Sequence, residues 1–276
     1  MTSTGSIIIP AHDEERVLGR LLTLLTAGRD ATALHIVVVA NGCTDKTADV
    51  ARSFTGVRVI ELAQGGKAGA LNAGDLIADV FPRLYVDADV ELGTDAAIAT
   101  IQCLGQPGVL AARPPLRYST DQCAPAVQRF YRARSRTTSL MSALWGAGIY
   151  GVSQTGRTRW ESFPADRADD LFIDELFDPD DVRIVETDPV LVHVPRTTSA
   201  LRHTLQRVYR AAAEPGEALP ESRNGAASSL IDLVRANREP SQWADLATYV
   251  AIAASARSRR RRGNGPLPWE RDDTSR

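Results

Sequence analysis

The chain has 276 residues, enough for one large α/β unit with a helical extension, since single domains usually run to roughly 100–150 residues. With 34 acidic against 32 basic side chains its net charge is −2, which excludes the overall basicity of a nucleic-acid-binding chain. Its 43% hydrophobic and 24% charged residues exclude a disordered or fibrous chain and fit a soluble globular one.

The first hundred or so residues alternate between two hydrophobic periods, the pattern of βαβ units and a mostly parallel sheet flanked by helices. Ser6 to Ile9 reads as a short buried strand. Val17, Leu18, Leu21, Leu22 and Leu25 then recur at helical spacing behind an acidic first turn at Asp13, Glu14 and Glu15. Leu34 to Val39 is the second strand, and "ANGCTDKT" turns into a helix that Thr44 or Asp45 is placed to cap. Val57 to Leu62 is a third strand, Gly65-Gly66 ends it, and "KAGALNAGDLI" has the composition of a helix. "RLYV", Arg83 to Val86, is strand four, followed by a helix over Asp95 to Leu104, a strand over Val109 to Ala112 and a boundary at Pro114-Pro115.

Beyond that boundary come a long arginine-rich helix over about Gln122 to Leu140, a glycine-rich strand around "GAGIYG", an acidic helix after "ADRADD", and further helices, one of them over Ser241 to Ser255. Residues 257–276 mix charge, proline and glycine and are expected to be a disordered tail; its Arg259–Arg262 cluster suits peripheral contact with an anionic membrane surface. Cys43, Cys103 and Cys123 are too scattered for a disulfide framework or a zinc site and are expected as reduced structural thiols. The N-terminal "MTSTGS" lacks the features of a secretory signal, and no run approaches the roughly 18–20 apolar residues that span a bilayer, so the expected location is cytoplasmic.

The chemistry concentrates at "RLYVDADVELG", where Asp87 and Asp89 follow a buried strand with only Ala88 between them. In an open parallel sheet ligands bind beyond the carboxyl ends of the strands. Residues one apart on extended backbone can face the same way, and a hard cation, Mn2+ or Mg2+, would relieve the repulsion of two carboxylates. Spacing alone does not decide this, because Asp178-Pro179-Asp180 repeats it in what reads as a surface turn.

Three further stretches accompany the pair in fixed order: "SIIIPAHDEE", "VVVANGCTDKT" and "GGKAGALNAG". Together the four resemble the nucleotide-sugar-dependent glycosyltransferases of family 2, which have the GT-A fold, and the resemblance covers roughly residues 5 to 112. It implies a GT-A catalytic domain over 1–195, with a nucleotide-sugar-binding half at 5–112 and an acceptor half at 113–195, followed by C-terminal helices at 196–256. It implies that Pro10, Ala11 and Glu14 line the base side of a donor pocket, with Asn41 near base or ribose, Lys67 near base or diphosphate, Asp87 near the ribose and metal, Ala88 between them, and Asp89 on the metal. Many family members have Asp where this chain has Asn41, which puts the identity of the base in doubt; Asn41-Gly42 also reads as plain turn chemistry.

In "FPADRADDLFIDELF" the doublet Asp169-Asp170 opens a helix and resembles the family's acidic pair, whose second member takes the acceptor's proton. Acids at a helix start also stabilise the helix regardless of chemistry. "WGAGIYGV" is similar to the family's glycine-containing strand, where Gly146 and Gly148 would let an acceptor approach and Trp145 would stack on a ring or sit in the core. Gln206 is followed by Arg207, Val208, Tyr209 and Arg210, so the motif of processive members is not kept and transfer of one sugar is expected. His193 reads more readily as structural than as a metal ligand. The acceptor class stays open among saccharides, lipid-linked intermediates and small metabolites, as does the oligomeric state. Two alternatives stand beside an inverting glycosyltransferase: a non-catalytic nucleotide-sugar-binding protein and a sugar-1-phosphate nucleotidyltransferase. The acidic "HDEE" sits where the latter needs a basic, glycine-rich loop.

Overall fold

The computed structural model describes residues 5–28, 30–211 and 225–258. The chain divides into two compact units that interleave in sequence. The first holds Met1–Leu116, Leu144–Ala165 and Phe172–Val192, and the second Arg117–Ala143, Asp166–Leu171 and His193–Arg276.

The strands are β1 (Gly5–Ala11), β2 (Leu34–Asn41), β3 (Val57–Leu62), β4 (Arg83–Val86), β5 (Ala111–Arg113), β6 (Leu116–Ser119), β7 (Ile149–Val152), β8 (Val182–Ile184) and β9 (Val190–His193). The helices are α1 (Leu18–Thr26), α2 (Thr47–Arg52), α3 (Lys67–Ile77), α4 (Thr94–Leu104), α5 (Pro125–Arg136), α6 (Thr138–Ser142), α7 (Gln154–Arg157), α8 (Asp169–Leu176), α9 (Thr198–Ala211), α10 (Gly225–Ala236) and α11 (Trp243–Ser258). The rest of the expected tail, residues 259–276 with the Arg259–Arg262 cluster, lies outside the described residues.

The first unit is built on a seven-stranded sheet in the order β3-β2-β1-β4-β7-β5-β8. β1 pairs in parallel with β2 and β4, and β2 with β3, while β7 runs antiparallel to β4 and β5. Ile7, Ile8, Ile9, Val37, Val38 and Val39 are fully buried, as expected where helices cover both faces of a parallel sheet. α1 contributes Leu18, Leu21, Leu22 and Leu25 to this core, the one-sided stripe that its leucine spacing predicts.

Two local expectations are corrected. α1 starts at Leu18 rather than at the acidic turn, because the Asp13 carboxylate is spent elsewhere: it accepts the Thr44 and Asp45 amides at 2.6 and 3.3 Å, tying the loop after β1 to the loop after β2. The long arginine-rich helix is two helices. It begins at Pro125, whose fixed φ suits a first turn, and breaks at Thr137, where ψ is 105°.

Behind the sheet a charge is buried in the first unit. Asp75 accepts Arg83 Nη1 at 2.5 Å, Arg157 Nε at 2.7 Å and the Tyr85 hydroxyl at 2.6 Å. Burial, reinforced by the Asp75 charge, pushes the Tyr85 phenol well above its ordinary pKa, so it stays a neutral donor. Tyr85 also stacks on Tyr150 at 5.1 Å and meets the edge of Phe163 at 5.2 Å.

The second unit has its own helical core, in which Phe130 lies parallel to Tyr249 at 4.4 Å among Val127, Leu201, Leu233 and Ile252. Asp245 of α11 is buried between two arginines of α5. Arg132 donates to its carboxylate through Nε and Nη2 at 3.1 and 2.8 Å, and Arg136 through Nη1 at 2.9 Å. Burial opposes ionisation of Asp245, but the two guanidinium groups outweigh it and hold the carboxyl below its usual range.

Candidate active site

From β1 the chain moves outward to β2 and β3, then returns to place β4 on the opposite side of β1. The strand order therefore reverses between β1 and β4, and the crevice beyond their carboxyl ends is where a sheet of this kind binds ligands. Pro10 and Ala11 end β1, Asn41 ends β2, and Asp87 and Asp89 follow β4. Lys67 opens α3, and its ammonium lies 2.6 Å from Asp87 Oδ1, with the two side chains 30% and 37% exposed. The separately read "GGKAGALNAG" and "VDADV" stretches thus meet in one ion pair.

Asn41 is fully buried. Its amide nitrogen donates to the Ala11 carbonyl at 2.8 Å, and its Oδ1 accepts the Gly66 amide at 2.8 Å. The side chain fastens the end of β1 to the start of α3. Gly42, at φ 61°, leaves so little room that a Cβ there would stand 2.5 Å from the Gly65 amide nitrogen. Glu14 is also buried, and its backbone amide donates to Thr47 Oγ1 at 2.7 Å. Asp45 accepts the Thr47 amide at 3.0 Å, but the residue at the cap of α2 is Lys46, whose side chain makes no capping hydrogen bond, so neither Thr44 nor Asp45 takes the expected cap position.

The Asp87-Ala88-Asp89 loop is held from two sides. Its first amide, on Asp87, donates to the Gly148 carbonyl at 2.8 Å. Gly148 has φ 66°, and a Cβ there would come within 2.4 Å of Val90 Cγ1, so this glycine is required for the loop to lie against the start of β7. On the other side Arg20 of α1 reaches the Asp89 carbonyl at 3.4 Å and pairs with Glu91 at 3.2 Å. Glu91 in turn bridges Leu191 through the backbone.

Two contributors carried no local signal. Arg20 lies 69 residues from Asp89 in sequence, and only the fold joins them. His12, between Ala11 and Asp13, lies against the backbone of Asn41: its Nδ1 is 2.7 Å from that carbonyl, which can only accept, so Nδ1 carries the proton.

Trp145 is buried, at 9% exposure, which supports the core reading of that residue over the stacking one. Gly146 has φ 75°. Asp169 and Asp170 open α8 as the sequence predicts; Asp169 is buried, and Asp170 accepts the Leu171 amide at 2.9 Å.

For a divalent cation the chemistry of Asp87 and Asp89 is suitable, being two hard oxygen donors at a strand end where Asp87 already holds a cationic group. Among the described residues the one cluster of three ligating side chains is Asp13, Cys43 and Asp45, within 4.8 Å of one another. Its carboxylates are occupied in tying the two loops, Asp13 accepting the Thr44 amide and Asp45 the Glu15 amide at 3.2 Å.

Residues 6–140 match the sequence model of the family described as Glycosyl transferase family 2. Among curated proteins the chain is similar to 4,4'-diaponeurosporenoate glycosyltransferase of Staphylococcus aureus (strain bovine RF122 / ET3-1), 32% identical over 167 residues, 57% of this chain and 41% of that protein. The chain thus spans less than half the length of the curated relatives it matches. Among solved structures it is similar to mannosyltransferase PcManGT from Pyrobaculum calidifontis, in complex with GDP-Man and Mn2+, with a TM-score of 0.55 and 19% identity over 97% of this chain and 77% of that one. It is also similar to S. aureus TarS 1-349 in complex with UDP, with a TM-score of 0.53 and 15% identity over 94% and 92%. At these identities the structural likeness establishes the fold, which is GT-A. The ordered motifs, the reversal of strand order beside Asp87 and the family match agree: over residues 6–140 the chain belongs to glycosyltransferase family 2.

Proposed function

We propose that this protein is a metal-dependent, inverting, non-processive glycosyltransferase that moves one sugar from a nucleoside-diphosphate sugar to an acceptor hydroxyl. The observation that carries the reading is the meeting of Lys67 with Asp87 at the reversal of strand order, beside Pro10 and Ala11. A PcManGT structure that holds both GDP-Man and Mn2+ supports the same reading.

Asp87 and Asp89 would hold Mn2+ or Mg2+, which when bound neutralises charge on the departing diphosphate. Lys67 brings a flexible point charge to the same diphosphate. The backbone at Pro10 and Ala11 lies against the base, Ala88 keeps the acidic pair's backbone close to the ribose, and buried Asn41 and Glu14 fix those loops. On motif order, Asp170 takes the acceptor's proton as the sugar transfers and Asp169 orients it. Gly146 and Gly148 shape the acceptor side. The residues were read as a catalytic domain followed by C-terminal helices, and that division belongs to the same proposal.

The test is release of nucleoside diphosphate from a panel of UDP- and GDP-sugars, with and without Mn2+. Asp89→Ala should lower turnover by roughly 10²–10³-fold while leaving the melting temperature unchanged. Equal turnover in the variant, or in chelator, would refute the metal role.

A further inference from the structure

Helix α3 opens with Lys67, and five residues on it carries Asn72, a polar side chain that the proposed chemistry does not use. The Asn72 amide nitrogen donates to the Phe163 carbonyl at 3.1 Å, and its Oδ1 accepts the Phe163 amide at 2.8 Å. One side chain therefore brackets the backbone of a residue 91 positions away, as a neighbouring strand would. A primary amide suits the task because it offers a donor and an acceptor at once.

Phe163 is a junction within the first unit. It is buried at 3% exposure, and its ring meets Tyr85 at 5.2 Å, Trp160 at 5.5 Å and Phe172 at 6.5 Å. Tyr85 lies on β4, two residues ahead of Asp87, and Phe172 lies on α8, two residues beyond Asp170. The body of α8 joins the same core: Ile173 is fully buried in it, Phe172 and Leu176 pack against it, and Asp174 accepts the Leu144 amide at 2.7 Å. Asn72 is thereby tied, through one phenylalanine, both to the strand that leads into Asp87 and to the helix that Asp169 and Asp170 open.

We propose that Asn72 is a positioning residue for sugar transfer: its grip on Phe163 fixes α8, and with it Asp170, in register for proton removal. The inference rests on the glycosyltransferase reading with Asp170 as the base. A base must stand within hydrogen-bond reach of the proton that it takes, and a misplacement of about 1 Å can cost roughly 10²-fold in rate. The length of the Asn72 side chain, and not only its polarity, is then part of the device.

The test compares the wild type with Asn72→Gln, which keeps donor and acceptor but carries them one methylene further, and with Asn72→Ala, which loses both. In release of UDP or GDP from the panel of UDP- and GDP-sugars in Mn2+, Asn72→Gln should lower kcat roughly tenfold or more. Its calorimetric affinity for the nucleoside diphosphate should stay within about twofold of wild type, with the melting temperature little changed. Asn72→Ala should lose at least as much rate, and melting temperature as well. Because Asn72 acts through Asp170, adding Asn72→Gln to Asp170→Asn should cost nothing further. The proposal is overturned if both Asn72 variants turn over at the wild-type rate, if their loss lies in nucleotide affinity, or if it multiplies with that of Asp170→Asn. A wild type that releases no nucleoside diphosphate overturns the glycosyltransferase reading itself, and this inference with it.

Discussion

The two units each hold a carboxylate against cations, and they do so differently. Asp245 in the second unit is gripped by the planar forks of Arg132 and Arg136, with 7% of its side chain exposed. Asp87 in the first unit meets the single-point charge of Lys67, with 37% exposed. A guanidinium fork on a buried carboxylate makes a structural tie, whereas a single-point ammonium on a carboxylate open to water is readily exchanged for another cation. The contrast separates a carboxylate that holds the fold from one that the proposed chemistry uses.

The comparison breaks most visibly at Asp170. If it takes the acceptor's proton, Asp170→Asn should lower kcat by roughly 10²–10⁴ with donor KM little altered. A loss of melting temperature in its place would make it a structural helix-start acid. Next in size, Asp75→Ala should cost about 3–5 kcal/mol of stability, because Arg83 and Arg157 lose the acid that offsets their burial. Urea unfolding of the first unit measures this, and an unchanged midpoint would contradict it.

Smaller again is Asp245→Ala, worth about 1–2 kcal/mol, since the side chains of Arg132 and Arg136 are 49% and 33% exposed and water screens much of the pair. Its sign with pH follows from the direction of the shift. A carboxyl held below its unfolded pKa stabilises the native state above that ordinary value, near 3.9, and the contribution is lost as pH falls through the lower folded value. Hydrogen exchange at α5 and α11 should therefore rise below about pH 4, and Asp245→Asn should flatten that rise.

Much of the first unit was legible because its signals are local. Three isoleucines in a row in β1 and three valines in β2 announce strands buried on both faces, and the leucine stripe of α1 announces its packed side. The family and the GT-A fold follow from four motifs in order, and both hold. What escaped depends on partners distant in sequence. Asp13 looks like a helix-start acid until Thr44 claims it, and nothing near Arg20 hints at Asp89. The break at Thr137 was hidden inside a continuous helical composition. Gly148 carries a packing demand beside its expected place on the acceptor side, since a side chain there would meet Val90, and no local signal in the sequence announces that.

The central claim is that Asp87 and Asp89 hold a divalent cation together with a nucleoside diphosphate, and calorimetric titration of UDP and GDP tests it most directly. The account predicts that one of the two binds strongly in Mn2+ and at least roughly tenfold more weakly in chelator, and that Asp89→Ala abolishes the difference. Equal affinity with and without Mn2+, in wild type and variant alike, would contradict it.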